Sequence, residues 1–169
     1  MKKHIPLTIM LFIILSSARS LPGYFTPNQL KEISQFKQPL PIPTQLPQGY
    51  VLKQFSLNHQ GTKPAYQIDY RCFCAGQNLS FSIVGSTKPF DLTLASKLEV
   101  IETKVGPLKL GIYPAAPHNG LKKPFHMTHW FGQGKLKHTV ITGLTDNPAP
   151  HQDIVYVLKH LEYVNATDK

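Results

Sequence analysis

Cys72 and Cys74 are the residues of this sequence whose type and spacing most directly suggest chemistry. They are the two cysteines of the 169-residue chain. Side chains two positions apart on a β-strand point to the same face. Two strand steps separate their Cα atoms by roughly 6.6 Å, near the upper limit for a disulfide. A bond between them requires a bend, which the nearby Gly76 permits. We interpret them as a candidate disulfide or redox pair, with two free thiols or a bond to another chain as alternatives.

The eight histidines are the next candidates for chemistry. His126 and His129 are three positions apart, and on a strand such residues face opposite sides, so they do not readily share a metal ion. His138 lies across an expected hairpin, where it approaches one of them. No second pair of cysteines or histidines has the spacing of a zinc site. We therefore expect no metal or other cofactor, and interpret the histidines as surface or half-buried side chains.

Hydrolase chemistry finds no support in the sequence. A Gly-x-Ser-x-Gly motif is absent, and the nine acidic residues include no pair that stands out as an acid and base couple. Asp69 and Arg71 are expected on the same polar face of a strand, where a surface ion pair explains both. We expect no catalytic residues and no enzymatic activity.

The chain is basic, with a formal net charge of +9. Its densest cationic group is Lys122-Lys123, with Lys135 and Lys137 nearby. Lysines interleaved with aromatic residues, as in a nucleic-acid-binding stripe, are not seen, so we expect no nucleic acid partner. A weak contact with an anionic membrane surface or wall polymer is one interpretation of the charge, and an ordinary solvated surface is the other.

The first twenty residues have the layout of a secretory signal. Two lysines and a histidine precede an apolar run at 5–15, and mostly small residues follow at 16–20. The run is too short to span a bilayer, which takes about 20 apolar residues. We predict a signal peptide at 1–20, cleavage near Ser20 and export to the periplasm or the medium; an uncleaved anchor is the alternative.

A short helix is predicted in the lead-in that follows. Thr26 then Pro27 is typical of a helix start, with a hydroxyl cap and a proline in the first turn. Three apolar residues would share one face of this helix: Leu30, Ile33 and Phe36.

Domain boundaries are predicted from the prolines beyond this helix. The run at 39–43 forbids a helix and favours an extended linker. We therefore expect a lead-in helix and linker at 21–43, a single domain at 44–165, and a disordered tail at 166–169.

Within the domain, apolar residues alternate with polar ones, which is the pattern of β-strands with one buried face. Turns are expected at 61–64, at 75–78 and around 106–107, with a hairpin through 132–134. We predict strands at 50–57, 66–72, 79–83, 100–104, 108–113, 125–131 and 136–142.

The end of the chain changes to helical spacing. Apolar residues from Ile154 to Val164 form one stripe, which a helix would lay on one face of the sheet. The fold class that we predict is α+β, a mostly antiparallel β-sheet packed by a C-terminal amphipathic helix in two layers.

The motif Leu46-Pro47-Gln48-Gly49-Tyr50, with the strands and closing helix that follow, resembles a small exported domain of cyanobacterial secreted proteins and Gram-positive lipoproteins. It is more distantly similar to the carboxy-terminal domain of RseB/MucB-type periplasmic regulators. The resemblance covers about 43–164 and implies a bacterial domain that senses, binds or scaffolds. Leu46, Pro47, Gly49 and Tyr50 form its opening turn, in which Pro47 fixes φ and Gly49 permits a positive φ.

These features predict an exported, non-enzymatic binding or scaffolding domain at the cell envelope, whose partner is an envelope protein or a polymer. One alternative is a periplasmic carrier of an apolar ligand, because a curved sheet under a helix can leave a cavity. Another is a redox protein that uses Cys72 and Cys74. The aromatic residues that would line a carrier's cavity, or simply fill the core, are Phe73, Phe81, Phe125, Trp130 and Phe131.

Overall fold

The computed structural model describes residues 25–36, 38–58, 65–89 and 95–164. The predicted signal peptide at 1–20, the turn at 61–64 and the tail at 166–169 lie outside these ranges. No helix among the described residues is long and apolar enough to cross a membrane.

Two helices and ten strands lie in these ranges. The helices are α1 (Pro27–Gln35) and α2 (His151–Lys159), and a 3-10 turn lies at Pro117–Asn119. The strands are β1 (Leu40–Pro43), β2 (Val51–Asn58), β3 (Ala65–Cys74), β4 (Gln77–Ser86), β5 (Lys97–Ile101), β6 (Leu108–Tyr113), β7 (Phe125–Thr128), β8 (Lys137–Thr142), β9 (Asn147–Pro148) and β10 (Leu161–Val164).

Most of the strands form one sheet in the order β2-β3-β4-β8-β7-β6-β5. Neighbours along this path are antiparallel, and β9 adds a short parallel pairing to β4. The predicted hairpin through 132–134 is confirmed, since Phe131 and His138 exchange backbone hydrogen bonds of 2.9 Å in both directions. The predicted α+β class with a mostly antiparallel sheet is confirmed.

One face of the sheet carries the main hydrophobic core. Tyr66, Ile68 and Tyr70 alternate along β3 and are all buried, and the α2 stripe of Ile154 and Val157 packs against this face. The C-terminal helix therefore covers the sheet as its spacing predicts.

The opposite face carries a second, smaller hydrophobic cluster. Phe125, Met127 and Ile141 lie at its centre, under Leu121 from the loop after the 3-10 turn. The two faces of the sheet thus have separate cores, and their side chains do not mix.

The predicted first helix is confirmed as α1. The Thr26 hydroxyl accepts a hydrogen bond from the Gln29 backbone N–H, and the Gln29 side chain accepts one from the Thr26 N–H, which is a capping box. Ile33 is 2% exposed and Phe36 is 3% exposed, so the apolar side of the helix packs into the main core.

The prediction of an extended linker at 39–43 is wrong. Leu40–Pro43 is strand β1, which pairs antiparallel with β10 in a separate two-stranded sheet, and Leu40 and Ile42 are 0% exposed. Proline is tolerated because a two-stranded sheet leaves one edge of each strand without ladder hydrogen bonds. The described part of the lead-in, from Phe25 onward, therefore packs into the core, and the predicted domain start at Thr44 is too late.

The predicted end of the closing helix is also wrong. The apolar spacing predicts a helix that continues to Val164, but α2 ends at Lys159 and Leu161–Val164 is strand β10. The pairing with β1 supplies backbone partners that helical spacing alone cannot reveal.

Candidate binding cleft

The β3–β4 hairpin ends in a tight turn that the two cysteines adjoin. Ala75 and Gly76 occupy this turn with φ values of 50° and 74°, as a two-residue hairpin loop requires. Cys72 and Cys74 lie on the core face of β3 and form a disulfide with their Cα atoms 5.4 Å apart. The same-face geometry expected from the sequence is present, and the bond constrains the last residues of β3, at the hairpin end (residues 72–78).

The opening turn lies against this disulfide. The Gln48 carbonyl oxygen is 4.0 Å from Cys72 Sγ and 3.9 Å from Cys74 Sγ. Gly49 has φ +84°, and a Cβ there would be 2.9 Å from Cys72 Sγ, so this position needs glycine for both conformation and space. The structure thus brings together two features that the sequence presents as unrelated.

Tyr50 connects the opening turn to α2. Its hydroxyl donates a 3.1 Å hydrogen bond to Asp153 Oδ2, and its ring packs 5.4 Å from that of Phe81. Burial, and then the Asp153 carboxylate, raises the pKa of Tyr50, so the hydroxyl remains a donor. Leu46 packs partly buried against the same core.

Phe73, between the cysteines, points to the opposite face of the sheet and is 74% exposed. It borders a cleft of about 470 Å³ between the hairpin end and two loops. We call this the hairpin cleft. Its other lining residues are Gly76–Asn78 from the hairpin, Gly120, Lys122 and Lys123 from the first loop, and 143–148 from the second.

The residues that line the hairpin cleft carry more positive than negative charges. Arg71 donates to both carboxylate oxygens of Asp146 over 2.7 and 3.0 Å, and Lys53 lies 3.8 Å from the same carboxylate. Lys122 and Lys123 are exposed, and neither forms an ion pair with a carboxylate of the described residues. The one carboxylate of the described lining is therefore already neutralised, while two ammonium groups are available to bind an anion.

The expected surface ion pair of Asp69 and Arg71 is not formed. Asp69 is 1% exposed and accepts hydrogen bonds from Ser82 Oγ at 2.5 Å and from Gln67 Nε2 at 2.9 Å. Arg71 pairs with Asp146 instead. Strand alternation places Asp69 on the polar face correctly but cannot reveal that this part of the face is covered.

The histidines of the described ranges do not cluster as metal ligands would. His138 is 2% exposed and its Nδ1 is 2.8 Å from the Tyr66 hydroxyl, whereas His129 and His118 are exposed. His126 packs 5.2 Å from the ring of His151, at another place on the sheet. Among the described residues, no three histidine, cysteine or acidic side chains are placed to hold a metal ion.

His138 should make the stability of the protein depend on pH. Burial, and then the charge of Lys137, lowers its pKa from 6.5 to about 4, so the folded state binds the proton less readily than the unfolded state. The stability is therefore full above pH 6.5 and falls as the pH drops toward 4, by up to roughly 3 kcal/mol. Urea unfolding between pH 7 and 4 measures this loss.

A His138→Gln variant serves as the control for this prediction. Its side-chain oxygen can still accept a hydrogen bond from Tyr66, but it does not titrate, so its unfolding free energy should vary less over the same pH range. A pKa of His138 near 6.5 in an NMR titration of the folded protein would contradict this expectation.

The candidate ligand-facing aromatics do not share a cavity. Phe81 is 0% exposed and stacks 4.7 Å from Tyr70 in the main core. Phe125 is 1% exposed and stacks 5.5 Å from Tyr113 in the second cluster, where Trp130 packs at the margin. These residues fill two cores on opposite faces of the sheet.

Comparison with known proteins adds no assignment: no family model, curated protein or solved structure matches this chain. The resemblance to the exported bacterial domain therefore stays a prediction. Any function of the hairpin cleft has to follow from the chemistry of its own residues.

Two features of the sequence, neither of them part of a motif, point to the hairpin cleft. Strand alternation places Phe73 on the polar face of β3, with Asp69 and Arg71, where a large aromatic ring is out of place. Lys122-Lys123 is the densest cationic group. The loop that carries Asp146 could not be placed beside them, because only the pairing of β9 with β4 brings it there.

Proposed function

We propose that this protein is an exported, non-enzymatic binding domain that acts at the cell envelope and holds its ligand in the hairpin cleft. Export is supported by the apolar run at 5–15, which two lysines and a histidine precede, and by the mostly small residues that follow it up to Ser20. In this proposal the protein is periplasmic or secreted after cleavage near Ser20, and its partner is an envelope polymer or protein.

The observation that carries the proposal is the exposed ring of Phe73 beside Lys122 and Lys123, which have no carboxylate partner among the described residues. Single exposed apolar side chains are common, but this one borders a concave site, at a strand end that carries a disulfide. An aromatic side chain has only two rotatable bonds, so it offers a ligand apolar contact without a large ordering cost. These are the properties of a binding site.

The two alternative functions have less support. A carrier of an apolar ligand needs the buried aromatics to face one cavity, whereas Phe81 and Phe125 fill separate cores. A redox protein needs a reactant to reach the disulfide; Cys72 is 1% exposed, so a reactant could reach only the half-buried Cys74 beside the opening turn.

Retention on the envelope tests the proposal. The purified exported protein should cosediment with the insoluble envelope fraction of its host, and Phe73→Ala should weaken this binding roughly tenfold, because a partly buried phenyl ring contributes about 1.4 kcal/mol. Val100→Ala is the matched control, since Val100 is 59% exposed on another strand. Equal retention of the two variants, or no retention of the wild type, would refute the proposal.

A further inference from the structure

We propose that the ligand of the hairpin cleft is an anionic glycan, a sugar chain that carries carboxylate groups; this inference rests on the proposed function. The charge of the cleft supports it first. Lys122 and Lys123 line the cleft without a carboxylate partner among the described residues. The carboxylate of the described lining, that of Asp146, is held by Arg71 and Lys53. A ligand that binds here therefore meets a net positive site.

The neutral groups that surround the lysines also fit a sugar. Gln77, Asn78 and Asn147 are among the residues that line the cleft, and the amide side chain of each can both donate and accept hydrogen bonds. Sugar hydroxyls need this combination, because they also donate and accept. A simple inorganic anion would use the lysines and leave the amide oxygens without donors.

The position of Phe73 adds an apolar contact. Its ring stands at the border of the cleft with most of its surface in water. A sugar ring presents a face of C–H groups that can cover such a ring, while its hydroxyls and carboxylates lie at the edge. The cleft thus combines an aromatic ring, amides and cations, which are the groups that a sugar unit with a carboxylate would use.

The shape of the cleft favours a chain over a small free molecule. Its volume of about 470 Å³ is within the range of about 300–1,000 Å³ for small-ligand sites, and it is open to solvent. An open cleft can receive one unit of a longer chain while the rest of the chain stays in solvent. Nucleic acid is the less favoured polymer, because the cleft offers one aromatic ring among the described residues, whereas single strands are bound by several stacked in succession.

Three defined probes separate sugar from charge. A six-unit oligogalacturonate carries both, its methyl-esterified form keeps the sugar and loses the charge, and polyglutamate keeps the charge without the sugar. In calorimetry at low salt, the exported protein should bind the oligogalacturonate at least tenfold more tightly than either of the others. Equal binding of the esterified probe or of polyglutamate, or no binding of the oligogalacturonate, would overturn the proposal.

Paired substitutions place the binding in the cleft. Lys122→Ala with Lys123→Ala should weaken oligogalacturonate binding roughly tenfold and reduce its dependence on salt. Lys31→Ala with Lys159→Ala removes the same charge from exposed helix positions and should change binding less than twofold. All four lysines are exposed, so both double variants should fold, which their thermal midpoints verify. Equal effects of the two double variants would overturn the assignment.

The outcome of this test is distinct from that of the proposed function. If Phe73→Ala lowers retention on the envelope but oligogalacturonate does not bind, the cleft binds a ligand of another class and only the glycan inference fails. If neither is observed, both fail.

Discussion

A chain that begins at Thr44 is expected not to fold. Such a chain lacks α1 and β1. The proline-rich sequence suggests, by contrast, that the domain does not need this segment. The side chains that it loses from the core are Phe25, Ile33, Phe36, Leu40 and Ile42, none of them more than 6% exposed.

The energetic reason for this result is the area that those side chains bury. Each buried apolar side chain contributes about 1.5–3 kcal/mol, so five contribute roughly 10 kcal/mol. A whole domain is stable by only about 5–15 kcal/mol. The truncation also removes the backbone partner of β10, leaving that strand without its ladder.

Circular dichroism and urea unfolding distinguish the two outcomes. The chain that begins at Thr44 should show no cooperative transition, whereas a chain that begins at Leu21 should unfold cooperatively with full stability. If both chains unfold with the same free energy, the lead-in is a linker after all and β1 contributes nothing.

Gly85→Ala is expected to reduce the free energy of unfolding by about 3 kcal/mol. Gly85 lies directly opposite Tyr66 in the β3–β4 ladder, and a Cβ at this position would be 2.1 Å from Tyr66 Cε1. No real contact is that short, so the ring must move.

Tyr66 has little room to move. It is 3% exposed, its hydroxyl bonds His138 Nδ1 at 2.8 Å, and its ring meets that of Phe36 edge-on at 6.0 Å. Displacing the ring costs overpacking strain of about 1–3 kcal/mol, and breaking its buried hydrogen bond costs a similar amount. The effect is large because glycine and tyrosine fit together across two strands.

Gly134→Ala is the matched control for this substitution. Gly134 has φ +86°, and no described atom lies within 4 Å of the place that a Cβ would take, so the cost is backbone strain of about 1–2 kcal/mol. Urea denaturation of both variants measures the difference. A loss in Gly85→Ala no greater than that in Gly134→Ala would show that the Tyr66 ring relocates easily.

Local signals explain the parts of the fold that the sequence predicts well. Thr26 and Pro27 specify the start of α1 within one turn, and the alternation in β3 and β4 fixes which side chains face the main core. The same-face geometry of Cys72 and Cys74 follows from strand period alone.

The parts that could not be predicted depend on contacts between distant segments. Leu40 and Ile42 become a strand because β10 pairs with them, and Leu161 leaves the helix for the same reason. In the cleft, Phe73 and Lys122 belong to separate segments that the order of the sheet brings together. No pattern of period two or 3.6 contains that information.

The pairing of β1 with β10 has a consequence for the timing of folding. Leu40 is paired with Val164, so the ladder closes a loop that includes nearly the whole described chain, and such long-range closure is slow. If the protein is exported as we propose and its amino terminus crosses the membrane first, β1 crosses long before its partner. The two-stranded sheet then cannot form until β10 arrives, and Leu40 and Ile42 stay without that part of their packing during the passage.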